Sequence, residues 1–170
     1  MGYKTMITAH TGALSTGRNS HAFFERMQNV DTEGIEVDIR LLGNKAFLGH
    51  TFVPFLPSKR IEFNWVLEYC KKHDFILNCD IKLRSGVKHT CEQIHASNAK
   101  DNVYLTGAVN WKHLPILKGI PVFCNNTFYS SLCGLPSVSS LERIKDCLDE
   151  LGHDEIKGLN ISKVFANESF

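Results

Sequence analysis

Short apolar runs alternate with amphipathic stretches along the chain, and this alternation predicts a parallel α/β fold. The strands are predicted at Thr5–Ala9, in a hairpin within Gly34–Thr51, and at Phe75–Lys82, Val103–Thr106, Ile120–Asn125 and Ile156–Ser162. The helices are predicted from a cap at Asn19 or Ser20 to Asn29, at Ile61–His73, Ser85–Ser97 and Asn110–Lys118, and from a cap at Ser139 or Ser140 to Leu151.

The number of strands limits the possible architectures. Six of the predicted strands belong to βα units, whereas a closed parallel barrel has eight strands and typically takes about 250 residues. We expect one domain over residues 1–170, a parallel (β/α) TIM-barrel-like fold that is incomplete at its C-terminal end. An open parallel sheet or a piece of a longer barrel would share this pattern. An unclosed sheet exposes strand edges, and a homodimer would cover them.

The hairpin segment Gly34–Thr51 carries the most informative polar pattern. Glu36 and Asp38 alternate with β-branched residues, and residues i and i+2 of a strand share a face, so both carboxylates point the same way. Burying two such carboxylates is costly unless a cation lies between them. Oxygen ligands suit a hard divalent ion, Mg²⁺ or Ca²⁺. The same alternation is also typical of an edge hairpin with a solvated polar face.

The turn of this hairpin decides where His50 lies. A two-residue loop at Gly43-Asn44 pairs Leu42 with Lys45 and places His50 on the face opposite to the carboxylates. A three-residue loop places His50 opposite Asp38, because a shift of one residue moves every side chain to the other face. A functional role for His50 therefore predicts the looser turn, or a bend before His50.

The strand Phe75–Lys82 separates its polar residues from its apolar ones. Asn78, Asp80 and Lys82 share one face near the carboxyl end of the strand. In a parallel α/β barrel this end of the strands carries the chemistry. The side chains that we expect to converge there are His10, Glu36, Asp38, His50, Asp80 and Lys82.

Composition and charge exclude several classes of protein. The formal net charge is +1 without a basic cluster, which argues against a nucleic-acid surface. No apolar run approaches the ~20 residues of a membrane span, and no secretory signal is present. The six cysteines form no CxxC pair and most lie among apolar residues, so they are expected to be reduced. These features predict a cytoplasmic protein.

At these positions the sequence resembles a known family. The ordered motifs AH-TG, RNS-AFF, IEVDI, FLGH and CDIK resemble those of the glycerophosphodiester phosphodiesterases, within the phospholipase-C-like phosphodiesterase barrels. The resemblance covers residues 5 to 100 well and the remainder by strand order. It implies a TIM-barrel phosphodiester hydrolase that acts on a small-molecule diester in lipid metabolism. The roles implied are metal ligation by Glu36, Asp38 and Asp80, acid–base catalysis by His10 and His50, and a phosphate contact by Lys82.

The chain also departs from the family pattern. Thr11 stands where the family has a phosphate-binding arginine, and Arg18 stands where it has a glutamate. Arg18 is therefore the candidate for a second phosphate contact, reaching in from a different direction. Thr51 replaces an aspartate, and Asp80 replaces a glutamate. Only Phe52–Ser58 bridges a gap in which the family carries an insertion that shapes the alcohol pocket.

Two hypotheses of different class follow. The first is a metal-dependent phosphodiester hydrolase acting on glycerophosphodiesters or related diesters by histidine acid–base catalysis. The second is a catalytically impaired relative that binds a phosphate ester or a metal without hydrolysing it, which the lost arginine and the missing strands favour. A flavodoxin-like binding domain is a third interpretation. It would need a glycine-rich phosphate loop after the first strand, and Gly12 and Gly17 match such a loop only weakly.

Overall fold

A computed structural model describes residues 6–50, 60–124 and 156–159 of the chain. Its strands are β1 (Thr8–His10), β2 (Gly34–Leu42), β3 (Lys45–Leu48), β4 (Ile76–Ile81), β5 (Val103–Gly107), β6 (Val122–Cys124) and β7 (Ile156–Leu159). Its helices are α1 (His21–Met27), α2 (Phe63–His73), α3 (Val87–Ala96) and α4 (Leu114–Leu117), with 3₁₀ turns at Arg84–Gly86, Lys100–Asn102 and Trp111–His113.

The strands form one sheet in the order β1-β2-β4-β5-β6-β7. All neighbours along this path are parallel, and β3 folds back antiparallel on β2. This arrangement confirms the predicted α/β class with parallel βα units. The predicted loop after His50 and the predicted helix ending at Leu151 lie outside the described residues.

The sequence explains where the first two long helices begin and which faces they bury. Ser20 caps α1, since its hydroxyl accepts a hydrogen bond from the backbone N–H of Phe23 at 3.3 Å. Phe23 and Phe24 are buried on its inner face. Helix α2 buries its predicted apolar stripe and ends at Asp74, which adopts the left-handed conformation with φ 57°. Each fully buried large apolar side chain contributes about 1.5–3 kcal/mol to the stability of the fold.

One face of the central strands belongs to the hydrophobic core. The inward residues of β2 and β4 are completely buried: Ile35, Val37, Ile39, Leu77, Cys79 and Ile81. The cysteines described at Cys70, Cys79 and Cys91 are free thiols within this core, as the sequence predicted. Burial raises the pKa of Cys70 to about 12, which keeps that thiol protonated and unreactive. The opposite face of the same strands is left for polar side chains.

The hairpin has the tight turn rather than the looser one. Leu42 pairs with Lys45, so the loop contains only Gly43 and Asn44, and the expectation of a three-residue loop is wrong. Gly43 has a φ of 59°, which glycine adopts without strain, and a two-residue turn matches the twist of the paired strands. Strand β3 ends at Leu48, and the backbone bends at His50 itself rather than before it.

None of the helices in the described part of the chain has the length and apolar character needed to cross a bilayer. The expected cytoplasmic location, the homodimer and the absence of a nucleic-acid partner stay predictions.

Candidate active site

The register of three neighbouring strands brings the predicted polar residues to one edge of the sheet. His10, the last residue of β1, pairs with Glu36 of β2. Two residues further along β2, Asp38 pairs with Asp80 of β4. These side chains therefore lie side by side at the carboxyl ends of parallel strands, on the face opposite to the apolar residues.

Three separate segments complete the outer edge of β2 beside these residues. Because β1 ends opposite Glu36, the backbone of β2 needs other partners beyond that point. Thr11 donates its N–H to the Glu36 carbonyl at 3.1 Å, and the Asn19 side chain accepts from the N–H of Asp38 at 3.2 Å. The N–H of Gly49 then donates to the Asp38 carbonyl at 2.9 Å. We call this stretch, Glu36 to Asp38 with its three partner segments, the β2 gap.

Asp38 is held between a cation and an amide. Its side chain is fully buried, and the Lys82 ammonium lies 2.6 Å from Oδ1 while also contacting Asp80. The Asn19 amide donates to Oδ2 at 2.9 Å. Burial acts to raise the pKa of Asp38, but the Lys82 ammonium and the Asn19 amide outweigh it and lower that pKa. Burial acts to lower the pKa of Lys82, and the two aspartates outweigh it and raise that pKa.

His10 contacts a backbone carbonyl with one ring nitrogen and a carboxylate with the other. Its Nδ1 lies 2.7 Å from the Thr11 carbonyl oxygen, which can only accept, so Nδ1 carries the proton. The other ring nitrogen, Nε2, lies 3.5 Å from Glu36 Oε1 and keeps a lone pair when the ring is neutral. Burial raises the pKa of Glu36, and the neighbouring aspartates add to that rise while His10 and Lys82 oppose it.

His50 lies just after β3, at a bend of the backbone. The Arg40 guanidinium donates to the His50 carbonyl from both Nε, at 3.2 Å, and Nη2, at 2.9 Å. A role for the His50 ring as a second acid–base group stays a prediction.

Arg18 is not joined to this group. Its side chain is exposed and packs its stem against Gly12, where an added Cβ would lie 2.7 Å from Arg18 Cγ. Within the described residues the Arg18 guanidinium makes no hydrogen bond or ion pair. Its role in phosphate binding stays a prediction.

Comparison with solved structures places this geometry in a known fold, although no protein-family model and no curated protein matches the sequence. A glycerophosphodiester phosphodiesterase of Agrobacterium tumefaciens has a TM-score of 0.61 at 9% identity, over 92% of this chain and 96% of that chain. A phosphodiesterase of Oleispira antarctica, in complex with the product sn-glycerol-3-phosphate, has a TM-score of 0.51 at 11% identity, over 94% and 85%. The glycerophosphoryl diester phosphodiesterase domain of a Mycobacterium tuberculosis protein has a TM-score of 0.56 at 11% identity, over 69% of this chain and 59% of that domain.

The chain has the fold of the glycerophosphodiester phosphodiesterases. In this fold the carboxyl ends of the strands face the active site, and His10, Glu36, Asp38 and Asp80 lie at those ends. The resemblance seen in the sequence motifs and the similarity of the folds therefore lead to the same family of structures.

Sequence reasoning missed some residues of this candidate site. Asn19 was considered as a helix cap and as part of a family motif but not as a site residue, yet it binds both the side chain and the backbone of Asp38. Arg40 follows Asp38 by two residues, so the same alternation that paired Glu36 with Asp38 could have placed it on this face. Gly107, at the end of β5, approaches Asp80 so closely that an added Cβ would overlap its carboxylate.

The donor set fits a hard divalent cation in its chemistry. Glu36, Asp38 and Asp80 offer carboxylate oxygens, and the buried Oδ1 of Asp38 accepts no well-directed hydrogen bond within the described residues. With Lys82 as their counter-ion the ionised carboxylates keep a net charge of −2. The described side chains do not form a ready cluster of three metal ligands, because the Lys82 ammonium lies between the two aspartates.

Proposed function

We propose that the protein is a phosphodiester hydrolase that acts on glycerophosphodiesters or related phosphodiesters by histidine acid–base catalysis. The observation that carries this proposal is the set of His10, Glu36, Asp38, Asp80 and Lys82 at the carboxyl ends of three adjacent parallel strands. The fold shared with glycerophosphodiester phosphodiesterases supports the same reaction class.

The two histidines can carry the protons of the reaction. Neutral His10 presents the lone pair of Nε2, so it can accept a proton, and its protonated form can return one. In the proposed reaction one histidine removes the proton from an attacking hydroxyl, which forms a bond to phosphorus. The other histidine protonates the leaving alkoxide as its bond to phosphorus breaks. His50, whose backbone carbonyl accepts from Arg40, is the second partner in this exchange.

A divalent cation, Mg²⁺ or Ca²⁺, is part of the proposal. Glu36, Asp38 and Asp80 would hold it, and when bound it supplies positive charge against the non-bridging phosphate oxygens. A phosphodiester carries one negative charge and would be repelled by a site of net charge −2, so an added cation makes binding of this substrate possible. Lys82, released from the aspartates, is then the residue placed to pair with the phosphate.

A second candidate function rests on the lost arginine. Thr11 is buried and its hydroxyl is used as an acceptor for Asn19, while Arg18 is exposed and apart from the carboxylates. A site with Lys82 as its phosphate contact could bind a phosphate ester or a metal without hydrolysing the ester. This candidate predicts binding without turnover.

Hydrolysis of bis(p-nitrophenyl) phosphate and of glycerophosphocholine tests the proposal, with Mg²⁺, with Ca²⁺ and with EDTA. We expect turnover that needs the divalent ion and that falls by about 10²–10⁴ in His10→Ala. His89→Ala is the matched control, since His89 also contacts a glutamate, Glu92, on the surface at 3.2 Å. Absence of turnover from folded protein under either metal would contradict the proposal. Calorimetric binding of Mg²⁺ or glycerol 3-phosphate by such a protein would then favour the second candidate.

A further inference from the structure

The β2 gap contains two residues, Asn19 and Thr11, that hydrogen-bond to the candidate catalytic groups Asp38 and His10. Asn19 adopts a φ of 52°, a left-handed conformation that asparagine tolerates better than most residues. In this conformation its amide bridges Asp38 twice, since Nδ2 donates to Oδ2 at 2.9 Å and Oδ1 accepts from the backbone N–H at 3.2 Å. Asn19 therefore fixes both the strand position and the carboxylate orientation of Asp38.

Thr11 links Asn19 to His10. Its side chain is buried, and its hydroxyl oxygen accepts from the backbone N–H of Asn19 at 2.6 Å. Its carbonyl oxygen accepts from His10 Nδ1 at 2.7 Å, and its own N–H donates to the Glu36 carbonyl at 3.1 Å. One residue thus holds the His10 ring, the Asn19 backbone and the β2 strand in fixed relation.

We propose that Thr11 and Asn19 are positioning residues that hold His10 and Asp38 in register with each other. This inference rests on the proposed hydrolase function and assigns a role to the position where the family resemblance would place an arginine. A long cationic side chain at residue 11 could not make the hydroxyl contact to Asn19. The threonine hydroxyl therefore links Asn19, which binds Asp38, to the backbone of residue 11, whose carbonyl holds His10.

Substitutions that remove single hydrogen bonds test this role. Thr11→Val removes the hydroxyl and keeps the branched shape, whereas Thr11→Ser keeps the hydroxyl. We expect kcat to fall about 10- to 100-fold in Thr11→Val with KM within about twofold, and Thr11→Ser to stay within about threefold of wild type. Thr90→Val is the control, because Thr90 is also fully buried and donates one hydrogen bond, to Gly86, away from the site. A Thr11→Val enzyme with the kcat of Thr90→Val would overturn the inference.

Asn19→Gly is the second test, and it serves if Thr11→Val does not fold. Glycine accepts the left-handed backbone of residue 19 but lacks the amide. Asn98→Gly is its control, because Asn98 has a similar φ of 55° and follows helix α3. We expect the Asn19 variant to lose kcat about 10- to 100-fold while the Asn98 variant keeps wild-type kcat. Equal kcat in the two variants would count against a positioning role.

A readout that needs no turnover separates this inference from the proposed function. In ¹⁵N-labelled, metal-free protein the backbone N–H of Asn19, which donates to the Thr11 hydroxyl at 2.6 Å, should exchange with solvent more slowly in wild type than in Thr11→Val. If wild type shows no hydrolysis, the proposed function fails while this difference in exchange still supports the positioning of Asn19 by Thr11. An Asn19 N–H that exchanges equally fast in the two proteins would overturn the inference whatever the activity.

Discussion

The ammonium nitrogen of Lys82 lies 2.6 Å from Oδ1 of Asp38, and the Asp38 side chain is fully buried. The same ammonium contacts Asp80 on the neighbouring strand. Two carboxylates that the strand register places opposite each other are thus kept together by a positive charge from their own chain. The stability of this part of the sheet depends on that charge.

Lys82→Met should destabilise the protein strongly. It keeps the aliphatic stem but leaves the buried Asp38 carboxylate without its counter-ion, which costs about 3 kcal/mol and lowers Tm by roughly 6–12 °C. Thermal unfolding measures the loss. The control is Lys88→Met, because Lys88 pairs with Glu92 at an exposed position and its loss should cost less than about 0.5 kcal/mol. Equal losses in the two variants would mean that the Lys82 pair does not stabilise the fold.

The ion pair of Asp38 and Lys82 should make the free energy of unfolding depend on pH. The pKa of Asp38 is lowered from its usual 3.8, so the stability from its charge is present above that value and is lost as the pH falls through the folded pKa. The pKa of Lys82 is raised from 10.5, so its contribution is present below that value and is lost as the pH rises through the folded pKa.

Urea unfolding of Asp38→Asn against wild type tests this reading. The difference in free energy of unfolding should be steady between about pH 5 and 9 and should shrink as the pH falls below the ordinary aspartate value. A difference that does not change on the acid side would show that the charge of Asp38 adds nothing to stability.

Glu36→Gln should stabilise the protein and reduce its activity. Burial raises the pKa of Glu36 above 4.5, so its ionised form costs stability as the pH rises through the folded pKa. Removing that charge should raise the free energy of unfolding at pH 7 by roughly 1 kcal/mol, and the gain should vanish below pH 4.5. Hydrolysis should fall in the same variant. Glu62→Gln, at an exposed glutamate paired with Lys45, should change neither quantity appreciably.

Gly107→Ala should disturb Asp80. Gly107 has a φ of 81°, and its added Cβ would lie 2.5 Å from the Ile81 carbonyl oxygen and overlap the Asp80 carboxylate. Gly119→Ala shares the backbone strain, with a φ of 90°, but its added Cβ meets no atom within 4 Å. We expect the Gly107 variant to lose about 1–3 kcal/mol more stability than the Gly119 variant, and to lose activity that the Gly119 variant keeps. Chemical denaturation and the hydrolysis assay compare the two.

Much of the fold could be predicted because its signals are local in the sequence. The alternation of Ile35, Val37 and Ile39 with charged residues marked the buried and the polar face of β2, and both faces are as expected. The helical spacing of Phe63, Val66 and Leu67 likewise located α2, since periodicity reports on one face of one element at a time.

The details of the site depend on contacts that no periodicity encodes. The bridge from Asn19 to Asp38 joins residues from a loop and a strand, and it exists because β1 ends opposite Glu36. The hairpin turn was expected to be looser because His50 was assumed to stay in the strand, whereas the backbone leaves the strand first. Lys82 was predicted to contact the substrate phosphate, and the sequence could not show that it forms an ion pair with Asp38.

The β2 gap has a consequence for how the protein assembles. The residues that bind the backbone of β2 there all lie between residues 10 and 50. The other candidate site residues are Asp80 in β4 and Lys82 just after that strand. A chain made from its N-terminus can therefore close every loop that brings these groups together before the strands from β5 onward have been synthesised. The later strands then dock against β4, and the backbone of Gly107 at the end of β5 closes against the Asp80 carboxylate when they do.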